Sequence, residues 1–260
     1  MKIACCAYSY RQYLTGDDPQ MTMEGFVELC AGMGLDGVEL TSYYFPPNVG
    51  AVSLMDLRRK CFLLGLDVSG TAVGNRFTFP PGEDREKNIQ LARTWIDNGA
   101  ILGAPCIRVF AGSVPEGTSE EQAIAWVAEC CQECADYGAQ RGVMVALENH
   151  GGVTATADQV LAIAGQVKSD WFGLNLDTGN FQADDPYADI AKVAPYAITT
   201  HIKTVVAPRG GQPEDVDLPR LVGILRDVGY RGYLSFEYED EEDPKTAVPR
   251  LADKLRAALT

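Results

Sequence analysis

Val143-Met144-Val145-Ala146-Leu147-Glu148-Asn149-His150-Gly151-Gly152 is a short apolar run that ends on a carboxylate, an imidazole and two glycines. The run is too short for a helix and continuously apolar up to Leu147, so it reads as a strand buried on both faces. It follows a helical stretch ending at Tyr137-Gly138. The same order recurs along the chain. Met33-Gly34 precedes Gly37-Val38-Glu39-Leu40, Leu64-Gly65 precedes Asp67-Val68, and Val228-Gly229 precedes Tyr233-Leu234. Glycine after a helix can take the left-handed cap at low steric cost.

Working outward from that unit predicts strands at 3–7, 37–40, 67–73, 106–110, 143–148, 172–177, 198–203 and 233–238. The intervening segments carry helical spacing, as in Phe26, Leu29, Cys30 and Met33, or Leu218, Leu221, Val222 and Leu225. Ser119-Glu-Glu-Gln122 and Thr156-Ala-Asp-Gln159 read as capping boxes at two helix starts. Eight alternating β and α units in 260 residues predict an α/β fold, a single (β/α)₈ TIM barrel over residues 1–260. An open doubly wound sheet is the competitor. It would more often carry a glycine-rich phosphate loop after strand one, and Cys6-Ala7-Tyr8-Ser9-Tyr10 is not one. The Pro/Gly-rich loops at 41–52, 74–84 and 204–216 are long enough to cover a site.

The charge balance narrows the partners. With 36 Asp and Glu against 22 Lys and Arg, the formal charge is −14, which repels phosphate backbones and argues against nucleic acid. No apolar run approaches the ~20 residues of a membrane helix, so no membrane partner is expected. The N-terminal segment lacks the pattern of a secretory leader, and the expected location is cytoplasmic. The eight cysteines sit mainly among apolar neighbours and read as buried thiols. Cys130, Cys131 and Cys134 share one helix, but no CxxC pair supports a thiolate metal site there.

Parity locates the chemistry. Side chains of a barrel strand alternate between the interior and the helix layer. With Glu148 inward, Met144 and Ala146 are inward too. Strand six then turns Gly173, Asn175 and Asp177 inward, strand seven Thr199, His201 and Lys203, and strand eight Ser235 and Glu237, with Ile198 and Ile202 outward. Strand four contributes Arg108 and strand two Glu39. Buried polar groups are costly unless paired or ligated. Glu39, Glu148, Asp177 and Glu237 outnumber Arg108 and Lys203 by two negative charges, the charge of one divalent cation. Glu148, Asp177, His201 and Glu237 stand at the C-terminal ends of the last four strands, where barrel sites form. Three carboxylates and one imidazole suit Mn²⁺ first, with Mg²⁺, Co²⁺ or Zn²⁺ as alternatives. His150 bonds substrate, orients a ligand or only structures its loop. The Glu237–Asp243 run reads mostly as a solvated loop, with Glu237 alone assigned to the metal.

Val145-Ala146-Leu147-Glu148-Asn149-His150-Gly151-Gly152, Leu176-Asp177-Thr178-Gly179-Asn180, Thr200-His201-Ile202-Lys203 and Ser235-Phe236-Glu237-Tyr238-Glu239 resemble the xylose-isomerase-like barrel superfamily, in its sugar phosphate isomerase/epimerase branch. Gly37-Val38-Glu39-Leu40 and Ile107-Arg108-Val109-Phe110-Ala111-Gly112 fit the same pattern. The resemblance implies one divalent metal held by Glu148, Asp177, His201 and Glu237. It implies that Glu148 and Glu237 also move protons, beside a metal-polarised carbonyl and through an enediolate. Lys203, His150, Asn180 and Arg209 become the substrate-binding candidates, with Arg108 and Glu39 paired beneath them as support. The implied partner is a small carbohydrate, and a homodimer is the implied assembly. Two histidines cannot build the multi-zinc site of endonuclease IV. The chain also departs from ketose 3-epimerases, since Thr178-Gly179-Asn180-Phe181 lacks the histidine that follows their strand-six aspartate.

The expected activity is therefore a metal-dependent sugar isomerase or epimerase. A lyase in the same site (an inosose or dehydroshikimate dehydratase, or a 3-keto-glycoside eliminase) is the alternative, and a non-catalytic metal- or sugar-binding barrel is the third reading. Fold alone does not choose among them.

Overall fold

Each buried apolar run pairs with the next in parallel, and the last closes on the first. The computed structural model describes residues 1–260. Its strands are β1 (Lys2–Cys6), β2 (Gly37–Thr41), β3 (Asp67–Ala72), β4 (Cys106–Val109), β5 (Met144–Glu148), β6 (Phe172–Asp177), β7 (Ala197–Ile202) and β8 (Tyr233–Phe236). They form one closed barrel in chain order, with β8 paired to β1. Eight helices follow the strands in turn: α1 (Met23–Gly32), α2 (Ala51–Leu63), α3 (Glu83–Leu102), α4 (Glu120–Ala139), α5 (Ala157–Ala164), α6 (Pro186–Val193), α7 (Leu218–Asp227) and α8 (Pro244–Leu259). The expected (β/α)₈ barrel is the observed fold, with no strand end shifted by more than two residues. No helix is long and apolar enough to cross a membrane.

The main core lies between barrel and helices. Val145, Leu147, Leu174 and Leu176 face outward and pack in one cluster with Val127, Cys131 and Ile163. All eight cysteines are buried and unpaired. Cap chemistry sets several helix ends. Thr156 and Gln159 close a full capping box on α5, whereas at α4 Ser119 accepts from the Gln122 amide without the reciprocal bond.

Two positions depart from the sequence reading. Gly138 is not a cap but lies inside α4, where a Cβ would stand 2.3 Å from the Val143 carbonyl oxygen. Glycine there admits the returning chain, and the left-handed residue is Gly142, at φ 71°. Ile198, expected outward, sits at a register shift: Leu174 pairs with Ala197 and Asn175 with Thr199. The extra residue turns its side chain onto the Gly173 face, where a Cβ would lie 2.5 Å from Ile198 Cγ2.

Below that shift, parity holds toward the C-terminal rim. Glu148 pairs with Asn175, Asp177 with His201, and His201 with Ser235, so these side chains share the interior face. Beyond β7 the 204–216 loop folds into a ribbon pairing Val205–Val206 with Glu214–Asp215.

Candidate metal centre

The rim of the barrel collects charge at the ends of β5, β6, β7 and β8. Glu148, Asp177, His201 and Glu237 are all buried, Asp177 and His201 completely. One donor atom from each of the four falls within 4.8 Å of the others. His201 Nδ1 stands among the carboxylates, 3.3 Å from Glu148 Oε2, 3.4 Å from Glu237 Oε2 and 4.0 Å from Asp177 Oδ2.

Each donor is aimed by neighbours. Asp177 is locked by Asn149, whose side chain accepts from the Asp177 amide and donates to its carbonyl, both at 2.8 Å. Asn149 thereby extends the β5–β6 ladder past its last strand residue. Asp177 Oδ1 accepts from the Gly179 amide at 2.8 Å. The second oxygen, Oδ2, has no hydrogen-bond partner. His201 is oriented from below: Nε2 lies 3.0 Å from both oxygens of Glu39. A neutral ring that donates from Nε2 presents a lone pair at Nδ1, and Nδ1 likewise has no hydrogen-bond partner. Glu148 Oε2 accepts from Asn175 Nδ2 at 2.9 Å and pairs with Arg108 Nε at 3.1 Å. Lys203 donates to Glu237 Oε2 at 2.6 Å and to Glu239 Oε2 at 2.5 Å, and lies 3.6 Å from Asp177 Oδ2.

The ionisation of these groups follows from burial and neighbours. Burial pushes the Asp177 carboxyl up to about 8, against the pull of the Lys203 ammonium. Burial opposes charge on His201, but Glu39, Glu237 and Glu148 outweigh it and hold the imidazole well above its ordinary value. For Glu148, the effect of burial is overcome by Arg108 and His201, and its carboxyl is lowered. Glu237 is lowered further, with His201 and Lys203 outweighing burial. The cluster thus retains protons on Asp177 and His201 at neutral pH. A cation at the same spot would take their place.

The donor set fits such a cation. Two unpartnered buried donors, Asp177 Oδ2 and His201 Nδ1, face two ionised carboxylates, and unpartnered buried polar atoms are uncommon in folded chains. Oxygen and imidazole nitrogen together suit hard or borderline divalent ions.

Other expected residues fall in different places. Arg108 and Glu39 do not pair with each other. Their strands β4 and β2 are separated by β3, so Arg108 reaches its neighbour Glu148 while Glu39 reaches His201. Both still support the cluster. Asn180 comes to its edge, with Nδ2 3.5 Å from Glu148 Oε1. The His150 ring is exposed and packs on Phe110 at 4.4 Å, while Phe110 lies under the Arg108 guanidinium at 3.8 Å. The loop bond at this position uses the His150 backbone amide, which donates to Thr154 Oγ1 at 3.0 Å. Arg209 binds the Gln182 carbonyl through Nε and an η nitrogen at 3.0 and 2.6 Å, not the carboxylate cluster.

Sequence reasoning missed several contributors. Tyr43 sends its hydroxyl to within 3.4 Å of the Arg108 guanidinium. Cys6 is buried beside Glu39, its Sγ 3.5 Å from Oε1, and its thiol is pushed well up by burial and by that carboxylate. Its position at the end of β1 with inward parity was the available signal. Glu239 belongs to the Lys203 network, although the run around it reads as solvated loop.

A closed parallel barrel carrying a buried carboxylate–imidazole cluster at its C-terminal rim is an α/β barrel with a centre that could hold a metal. The chain belongs to the xylose isomerase-like TIM barrel family, whose model matches residues 27–258. No curated protein sequence matches it. Among solved structures, it is similar to a xylose isomerase domain protein from Planctomyces limnophilus, at 21% identity and TM-score 0.76, covering 98% of this chain and 95% of that one. It is similar to D-psicose 3-epimerase from Clostridium cellulolyticum H10, at 16% identity and TM-score 0.81, covering 100% and 99%. It is also similar to 3-keto-D-glucoside 4-epimerase from E. coli, at 18% identity and TM-score 0.75, covering 99% of each chain. At these identities the likeness establishes the fold.

Proposed function

We propose that this protein is a divalent-metal-dependent isomerase or epimerase acting on a small keto-sugar or sugar derivative. One observation carries the reading: Asp177 Oδ2 and His201 Nδ1, buried and without hydrogen-bond partners, face Glu148 and Glu237 at the mouth of the barrel. A divalent ion held by Glu148, Asp177, His201 and Glu237 would polarise a substrate carbonyl and acidify the neighbouring C–H bond.

The protein's own groups do the rest. Glu148 and Glu237 are both held in the ionised form needed to accept a proton. They rise from strands three apart around the barrel, so they can approach a substrate from different sides. One removes the proton and the other returns one, which inverts a centre or moves the carbonyl. The Lys203 ammonium, which donates to Glu237 and Glu239, would donate to a substrate oxygen beside them. Asn180 and His150 offer polar contacts at the rim, and Arg209 is the more distant candidate. Sugar epimerases that share this fold support the substrate class.

The test is proton exchange. Metal-loaded protein is incubated with keto-sugars in D₂O and followed by NMR. Deuterium entering next to the carbonyl together with an isomer supports the proposal. Deuterium with a dehydrated or unsaturated product assigns a lyase instead. Bound metal with no exchange on any keto-sugar overturns the enzymatic reading in favour of a binding barrel.

A further inference from the structure

Helix α2 is apolar on both sides. Its inner side is ordinary: Leu54, Leu57 and Cys61 are buried. Its outer side is not. Val52, Met55, Phe62 and Leu63 are each more than half exposed, Phe62 at 79%. Of the eleven large apolar or aromatic side chains exposed anywhere in the chain, five fall within residues 52–64. At about 100° per residue, Val52, Met55, Asp56, Arg59, Phe62 and Leu63 share one arc of about 120°, opposite the buried stripe. A helix apolar on both faces is normally covered on both, and clustered exposed apolar side chains mark interaction surfaces.

The charges on this face indicate what covers it. Lys60 is committed to Glu28 at 2.6 Å, and Arg58 turns away to the Ile101 carbonyl. Asp56 and Arg59 remain on the face, 4.0 Å apart and about 70% exposed each, a separation of little value between solvated charges. One charge of each sign at the middle of an apolar stripe is a self-complementary pattern. It suits an isologous contact, in which the same patch meets itself across a twofold axis.

We infer that α2 is the dimer interface of this protein, packed antiparallel against α2 of a second copy with the twofold axis passing between residues 57 and 58. That register sets Asp56 beside the partner's Arg59 and Val52 beside the partner's Leu63. It brings Met55 within two residues of the partner's Phe62, on the same flank of the contact. Each contact occurs twice. On a chain of charge −14, this is a face where two copies meet without like charges opposed.

The experiment is light scattering on the purified chain at micromolar concentrations. The wild type should have twice the 28.2 kDa mass of one chain. Phe62→Glu with Leu63→Glu should give the single-chain mass with unchanged circular dichroism, because neither side chain is packed within its own subunit. Asp56→Arg alone should weaken the dimer at least about tenfold, since it sets arginines opposite one another. Asp56→Arg combined with Arg59→Asp should restore it. A monomeric wild type, a dimer indifferent to the glutamate pair, or a charge swap that fails to restore association would each overturn the inference. Should the glutamate pair fail to fold, the charge swap decides alone.

Discussion

Asp177→Asn separates a metal ligand from a structural aspartate by the sign of two effects. The substitution keeps size and shape and leaves an oxygen able to accept from the Gly179 amide, as Oδ1 does at 2.8 Å. It removes a buried carboxyl whose value burial has pushed from 3.8 to about 8. At pH 7 that group is protonated in the metal-free fold and ionised in the unfolded chain. The folded state therefore binds the extra proton, and stability falls as pH rises from about 4 toward 8. About three units at 1.36 kcal/mol each put the cost near 4 kcal/mol at pH 7. Asparagine does not carry it, so the metal-free variant should melt at least about 5 °C higher than the metal-free wild type. Metal reverses the order of gains. At a hundredfold excess over Kd, a divalent ion should add about 2.7 kcal/mol to the wild type and nothing to the variant. Scanning calorimetry with and without Mn²⁺, after chelator treatment, reads both. A variant that melts lower without metal, yet is still stabilised by metal, would refute the reasoning and make Asp177 structural.

Three further outcomes follow from the same geometry. Metal affinity should rise with pH through the neutral range, because Asp177 and His201 must each give up a proton on binding; titration calorimetry in buffers of differing ionisation enthalpy should detect proton release, and a pH-independent affinity would contradict the assigned proton positions. Glu39→Gln should weaken metal binding about 10–100-fold by removing the anion that orients His201, as read by Mn²⁺ paramagnetic resonance; unchanged binding would mean that the 3.0 Å contact does no orienting. Gly152→Ala should destabilise the fold by more than about 2 kcal/mol, since φ is 54° and a Cβ would stand 2.2 Å from the Gly112 carbonyl oxygen; denaturant unfolding measures it, and a neutral result would show that the loop can move aside.

Much of the site was legible because two periodicities agree. The apolar runs marked where strands lie, and their alternation turned Glu148, Asp177, His201 and Glu237 to one face. Parity assigns a face but not a neighbour. Arg108 and Glu39 were expected to pair because both face inward, yet β3 separates their strands, and Arg108 meets Glu148 instead. Alternation also fails where a strand gains a residue, and nothing in Ala197-Ile198-Thr199 announces the shift that turns Ile198. Gly138 read as a cap because glycine serves both left-handed turns and close approaches, and only the fold brings Val143 beside it. Asn149 and Tyr43 were missed for a related reason. Each acts on a group from another strand or loop, a relation that local pattern does not encode.

The most direct test of the metal centre is stoichiometry. Chelator-treated wild type, re-equilibrated with Mn²⁺ and counted by elemental analysis, should hold one ion per chain, and His201→Ala and Glu148→Gln should each lose most of it. A wild type that holds no ion, or variants that keep full occupancy, would contradict the account.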